Sequence, residues 1–201
     1  MAPPDRIVIA SGNAGKLREI ERILADLEVE IIAQSELGVT EADETGSTFV
    51  ENALIKARHA ALMTNLPAIA DDSGLVVDAL DGRPGVYSAR YAGPKATDDQ
   101  NIDKLLEELV NVPDADRTAS FHCYACYVSP DDSTSLIAEG RWDGRILRER
   151  RGEAGFGYDP VFYDPECGRT AAELGAELKN ALSHRGKAMA ALAGMMRQRF
   201  M

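Results

Sequence analysis

The sequence predicts an α/β fold with a mixed sheet flanked by helices. Three observations carry that expectation. Short apolar runs suited to buried strands, such as Ile7 to Ala10 and Leu75 to Val77, are interspersed with segments of helical periodicity. A hydrophobic share of 45% supports a proper core and argues against disorder. A length of 201 residues suits one α/β domain, with or without two lobes, and residues 1–201 are expected to form it.

Arg6 to Ala10 reads as the first buried strand. The turn SGNAGK follows and opens a helix in which Leu17, Ile20, Ile23, Leu24 and Leu27 recur at helical spacing. Glu28 to Ala33 reads as a second strand. Thr48 to Asn65 reads as a helix, with Phe49, Leu54, Ala57 and Ala61 on its apolar face and Asn65 and Pro67 at its end. Ala68 to Ala70 and Leu75 to Leu80 read as short strands separated by a turn at Asp71 to Gly74. Residues 81–96, rich in Gly and Pro, read as an ordered loop, and Asp98 to Val110 as a helix. Thr118 to Val128 and Ser135 to Arg148 read as antiparallel strands joined at Pro130-Asp131-Asp132. Gly152 to Pro160 reads as a loop, and Thr170 to Leu182 and Ser183 to Phe200 as two last helices. Ser183 suits the cap of the second.

The net charge is −11. Such a chain is repelled by a polyanion, which argues against nucleic-acid binding, whereas one triphosphate needs only a few local cations. No apolar run approaches the ~18 residues that span a bilayer, and the N-terminus lacks the pattern of a signal peptide, so no membrane partner is expected. Cys123, Cys126 and Cys167 are an odd number, not a disulfide framework. Cys123 and Cys126 form a CxxC, but on a strand they point to opposite faces, and no second pair follows. Buried thiols in a reducing compartment fit better than zinc or redox chemistry, which places the protein in the cytoplasm.

Four clusters carry chemistry. In Ser11-Gly12-Asn13-Ala14-Gly15-Lys16, a strand ends and a helix starts; free N–H groups there can bind phosphate, and Lys16 adds charge. The spacing is not that of a standard P-loop, and an ordinary βα turn remains the alternative. In Asp71-Asp72-Ser73, two adjacent carboxylates are costly to bring together without a cation and suit Mg²⁺; a plain polar turn is the alternative. Further acids stand at Glu41, Asp43 and Glu44, and spacing does not show whether they meet the pair. Gly155-Phe156-Gly157-Tyr158-Asp159-Pro160 offers rings and a carboxylate for a base pocket, although such loops are common. Lys179, His184, Arg185 and Lys187 place donors near a helix start, either for an anionic or electron-rich ligand or as a solvated patch.

In order, SGNAGKLREI, TFVENALIKA, ADDSGLVVDALDGRPGVYSARYAG, GFGYDPVF and SHRGKA resemble the inosine triphosphate pyrophosphatase family, and more closely its bacterial members acting on noncanonical purine triphosphates. The resemblance runs from Ile7 to about Leu192. It implies hydrolysis of ITP, dITP and XTP to the monophosphate and pyrophosphate, with ATP and GTP used poorly. It also implies Mg²⁺, an elongated α/β fold with two lobes and a cleft between them, and a homodimer. Carried onto this chain, Ser11, Gly12, Asn13, Ala14, Gly15 and Lys16 hold the triphosphate, with Lys56 adding charge. Asp72 is the general base and a magnesium ligand, Glu44 the second metal carboxylate, and Asp71 a support. Ser73 touches the substrate. Phe156, Gly157, Tyr158, Asp159, Lys179, His184 and Arg185 enclose the nucleoside.

The rivals are a Maf-like pyrophosphatase with a different base preference and a nucleotide-binding module without catalysis. SHRGKA and GFGYDP favour the purine reading over the first, and the retained carboxylates favour an enzyme over the second.

Overall fold

The computed structural model describes residues 4–25, 29–130 and 132–200. Leu27, Glu28 and Asp131, on which parts of the first helix, second strand and strand turn were expected, lie outside the described residues. In chain order the elements are β1 (Arg6–Ile9), α1 (Ala14–Leu24), β2 (Glu30–Ala33), α2 (Phe49–Thr64), β3 (Ala68–Val77), α3 (Asp98–Glu108), β4 (Thr118–Ser129), β5 (Asp132–Ile146), β6 (Phe162–Asp164), β7 (Arg169–Thr170), α4 (Ala176–Leu182) and α5 (His184–Phe200). The strands form one mixed sheet in the order β2-β1-β3-β4-β5-β6-β7. β1 pairs in parallel with β2 and β3, and β6 antiparallel with β5 and β7. This is the α/β class expected.

The chain divides into two compact units, one of residues 1–72, 123–140 and 184–201, the other of residues 73–122 and 141–183. In the first unit, strand alternation sorts the core. Ile7, Ile9, Ile69, Cys123 and Ala125 pack with Ile20 and Leu24 of α1 and Met189 and Leu192 of α5. Val8, Ala10, Ala68, Ala70 and Cys126 pack instead with Ala53, Ala57, Ala60 and Ala61 of α2. The small alanine face lets α2 lie close to the strands. The CxxC thus splits between opposite faces as a strand requires. Burial pushes both thiols up, that of Cys126 to about 12, so neither supplies a thiolate at neutral pH.

The second unit has its own core, where Phe121, Trp142 and Phe162 cluster with Leu75, Ile102 and Leu105. The buried guanidinium of Arg117 donates to the carbonyls of Leu109, Ile146 and Leu147. These bonds tie the end of α3 to the end of β5 and the residue after it.

Three local expectations change. Asp71 to Gly74 is not a turn but the middle of β3. The turn preference of Asp and Gly loses to side-chain partners that hold both carboxylates within the fold, described below. Thr170 to Leu182 is not one helix: Arg169–Thr170 pairs as β7, Ala171–Glu173 makes a 3-10 turn, and α4 starts only after Gly175. The loop at 81–96 contains a 3-10 helix over Gly85–Arg90.

Candidate active site

Alternation along β3 decides where the two aspartates go. Asp71 shares the parity of Ile69 and faces α1 and α5; Asp72 shares that of Ala70 and faces α2. Both follow directly on the stretch where β3 pairs with β1, whose end leads into the turn at Ser11. Carboxyl ends of parallel strands are where open α/β sheets bind ligands.

On the α2 side, Asp72 Oδ1 lies 2.8 Å from Lys56 Nζ, and Glu44 Oε1 lies 2.9 Å from the same ammonium. Asn52, fully buried on α2, donates to Asp72 Oδ2 at 3.4 Å and accepts the Gly46 N–H at 2.8 Å. It therefore ties the acidic loop to the aspartate. Glu51 completes that tie with a capping box to Thr48 and bonds to Ser47. Burial pushes the Asp72 carboxyl above the usual range; Lys56 and Lys16 offset part of that, and Glu44 adds to it. Burial also works against the Lys56 ammonium, but Asp72, Asp71 and Glu44 outweigh it and hold the lysine charged.

On the other face, Asp71 Oδ2 lies 3.2 Å from Lys16 Nζ and 3.3 Å from Arg185 Nε, and Glu19 on α1 takes Arg185 Nη1 at 2.5 Å. The Asp71 carboxyl is fully buried, which would raise its pKa, but Lys16, Arg185 and Lys56 hold it well below the usual range. Asp71, expected as a support for the base or the metal site, has as its direct partners the lysine of the first turn, the arginine of SHRGKA and the Cys123 thiol.

The first turn differs from the expected row of free N–H groups. Asn13 is the N-cap of α1, and its Oδ1 accepts from Gly15 N at 2.8 Å and Lys16 N at 3.0 Å. Asn13 N donates to Ser11 Oγ at 3.3 Å. An asparagine at a helix start satisfies the very donors a phosphate would take. A Cβ at Gly12 would collide with the Glu41 carboxylate, so Gly12 lets that acid reach the turn.

In the second unit, Asp159 Oδ2 accepts from Phe156 N at 2.9 Å and from Lys179 Nζ at 2.7 Å, and Lys179 Nζ stands 4.8 Å from the Phe156 ring centre. Gly155 (φ 83°) leaves no room for a Cβ beside that carboxylate. Gly157 N donates to Asp98 Oδ2 at 2.7 Å. Tyr158 turns inward: it is 4% exposed, belongs to the core, and gives its hydroxyl to the Ser88 carbonyl. Of the two rings expected to meet a base, only Phe156 remains partly exposed. Ser73 is the first residue of this unit; His184 and Arg185 belong to the other. The expected residues are therefore gathered in two sets, one in each unit.

The sequence reading missed Asn52 and Glu19. Both carried a signal. Asn52 precedes Lys56 by one helical turn, and Glu19 follows Lys16 by three residues on one helix face. It also missed Gly140 on β5, where a Cβ would meet the His184 carbonyl and lie 2.6 Å from Ala188 N. Both obstacles are backbone, so the start of α5 must shift. Gly140→Ala is expected to cost about 1–3 kcal/mol, read as a lower melting temperature, and to reduce turnover by moving His184 and Arg185. An unchanged melting curve would contradict this close contact.

Could a divalent cation fit? Among the described residues no group of three His, Cys, Asp or Glu could hold a metal ion. Glu44 and Asp72 nonetheless converge on one cation, the Lys56 ammonium. Two such hard oxygens suit Mg²⁺, which usually takes one or two carboxylates and completes its shell with phosphates and water. The donor set fits that ion.

Residues 7–195 match the family model described as the Ham1 family. The chain is 56% identical over 193 residues to the dITP/XTP pyrophosphatase of Pectobacterium atrosepticum, covering 96% of this chain and 98% of that protein. Identity and coverage are the same for the dITP/XTP pyrophosphatase of Escherichia coli O157:H7. Among solved structures, a HAM1 protein from Coxiella burnetii superposes with a TM-score of 0.88 at 53% identity, over 98% of this chain and 100% of that one. A nucleoside-triphosphatase, dITP/XTP pyrophosphatase, from Mycobacterium abscessus gives 0.74 at 46%, over 93% and 98%.

Proposed function

The chain belongs to the Ham1 family, and we propose that it hydrolyses the noncanonical purine nucleoside triphosphates ITP, dITP and XTP to the monophosphate and pyrophosphate, which clears them from the nucleotide pool. The observation that carries the reading is the pair of carboxylates, Glu44 and Asp72, gathered on one cation beside the turn that ends β1. Neither rival, a Maf-like enzyme or a binding module, gains a comparable observation.

Asp72 is the base: a carboxylate within about 3 Å can take the proton of a water attacking the α-phosphorus, and burial raises this carboxyl above the usual range. Lys16 and Lys56 offset the charge that develops on the phosphoryl oxygens. Mg²⁺ held by Glu44 and Asp72 would neutralise further charge and orient the leaving pyrophosphate. The turn from Ser11 to Lys16 receives the phosphates, with Asn13 yielding its bonds to the Gly15 and Lys16 N–H groups. Ser73 touches the substrate.

His184 and Arg185 of the first unit are proposed as nucleoside contacts, and so, separately, are Phe156, Asp159 and Lys179 of the second. Hypoxanthine and xanthine carry a C6 carbonyl that His184 and Arg185 can satisfy, whereas the amino group of adenine leaves buried donors unmatched. Sites built on such bonds reject the analogue by roughly 10⁴-fold. We place the enzyme in the cytoplasm as a homodimer; buried, protonated thiols suit a reducing compartment.

Purified protein with Mg²⁺ is expected to convert ITP, dITP and XTP to monophosphate and pyrophosphate, with ATP, GTP and pyrimidine triphosphates turned over far more slowly. Product analysis by ion exchange checks it. Orthophosphate in place of pyrophosphate removes the reaction assignment, and equal rates for all bases remove the specificity.

A further inference from the structure

The carboxylates that suit a metal already hold a cation, and it belongs to the protein. Lys56 Nζ takes one oxygen from each of Glu44 and Asp72, and the lysine side chain is only 13% exposed. Glu44 and Asp72 are also the two carboxylates that would hold a divalent ion. An ammonium and a divalent cation repel strongly at such range in a half-dry site, so the two compete for the pair.

We infer that Lys56 is a tethered place-holder for the divalent cation: it binds Glu44 and Asp72 together in the nucleotide-free protein and transfers to the substrate phosphates when the metal arrives with the nucleotide. The inference rests on Glu44 and Asp72 being the metal carboxylates.

Three features support it. The loop that carries Glu44 is held close to Asp72. Asn52 ties the Gly46 backbone to Asp72, and Glu51 fastens Ser47 and Thr48 to the start of α2, so the acidic loop stays against the helix. A cation between the two carboxylates offsets their mutual repulsion. Next, Lys56 can move without the backbone, because a lysine head sits on a flexible four-carbon stem with rotatable donors. Finally, its departure needs a destination. A buried ammonium stripped of its carboxylates is costly, and a triphosphate supplies the replacement anion. Metal alone must expel Lys56 with no new partner; metal with nucleotide exchanges partners all round. The free protein should therefore bind the ion weakly and the metal–nucleotide complex well.

Mn²⁺ titrated into the metal-free, nucleotide-free full chain, with free ion read by electron paramagnetic resonance, tests this without turnover. Lys56→Met is expected to bind Mn²⁺ at least ~10-fold more tightly than the wild type, since the competing charge is gone. Lys104→Met removes the same charge from an exposed lysine and should change affinity by less than about twofold. Adding Glu44→Gln to Lys56→Met should erase the gain. If Lys56→Met does not fold, Lys56→Gln, which keeps a donor for one carboxylate, is used with the same expectation. A variant that binds Mn²⁺ no more tightly than the wild type overturns the inference. So does a gain of equal size in Lys104→Met, or one that survives Glu44→Gln. A tightened site in a protein that releases no pyrophosphate from any triphosphate would leave the place-holder standing and remove the reaction.

Discussion

Asp72→Asn is expected to release pyrophosphate from ITP roughly 10²–10⁴-fold more slowly than the wild type, the usual loss with a positioned base, while the fold survives. The fold should survive because of the direction in which Asp72 titrates. Burial raises its carboxyl above the ordinary range, and its cationic neighbours recover only part of that. A carboxyl raised in the folded state is one the fold prefers neutral. Its charge costs stability at neutral pH, and the cost fades as the pH falls through the raised value. Asparagine offers the same shape without the charge. Lys56 loses one partner but keeps Glu44. The melting temperature should therefore stay within roughly 4 °C of the wild type, about one kcal/mol in a chain of this size. Paired calorimetry and pyrophosphate release check both halves. Wild-type turnover would remove Asp72 from the chemistry, and a collapsed melting curve would show that its charge holds the fold.

How much of this was legible beforehand depends on what each residue answers to. Hydrophobic period found the first strand, α2, α3 and the long pair β4 and β5, because one buried face repeats along each. It failed at Asp71 to Gly74, where local composition says turn. Nothing within that segment reveals that Lys16, Arg185 and Lys56, from α1, α5 and α2, would meet it. Only such distant partners make two adjacent aspartates tolerable inside a strand. Once β3 is continuous, the parity of Ile69 and Ala70 assigns Asp71 and Asp72 to opposite faces. The strands β6 and β7 were missed for a different reason: at three and two residues they are too short to show a period. The candidate site was legible by type and order of motif. Its partition was not, since Tyr158 looks in sequence like a second base-facing ring, and only the core around Leu75 and Phe162 draws it inward.

Asp71→Asn should behave in the opposite way to the same substitution next door. Asp71 is buried completely, yet Lys16 and Arg185 hold its carboxyl far below the ordinary range. The folded state thus prefers this carboxylate charged, and removing the charge strands two cations in the interior. Arg185 keeps Glu19, whereas Lys16 loses the carboxylate it contacts on β3. Breaking one partner of a buried ion pair costs about 3–5 kcal/mol, which lowers the melting temperature by roughly 6–20 °C in a chain of this size. The pH dependence fixes the sign. A carboxyl depressed by folding contributes stability that is full above its unfolded value of about 3.9 and is lost as the pH falls below that toward the folded value. The gap in melting temperature between wild type and Asp71→Asn should be complete at neutral pH and narrow below about pH 4. A gap that is constant across that range would assign the loss to packing, not charge. Turnover should fall as well, since Lys16, in the turn proposed to receive the phosphates, loses its carboxylate and Arg185 at the start of α5 keeps only Glu19. The two neighbouring aspartates then separate by experiment as they do by strand parity: one variant stable and inactive, the other unstable first and impaired in consequence.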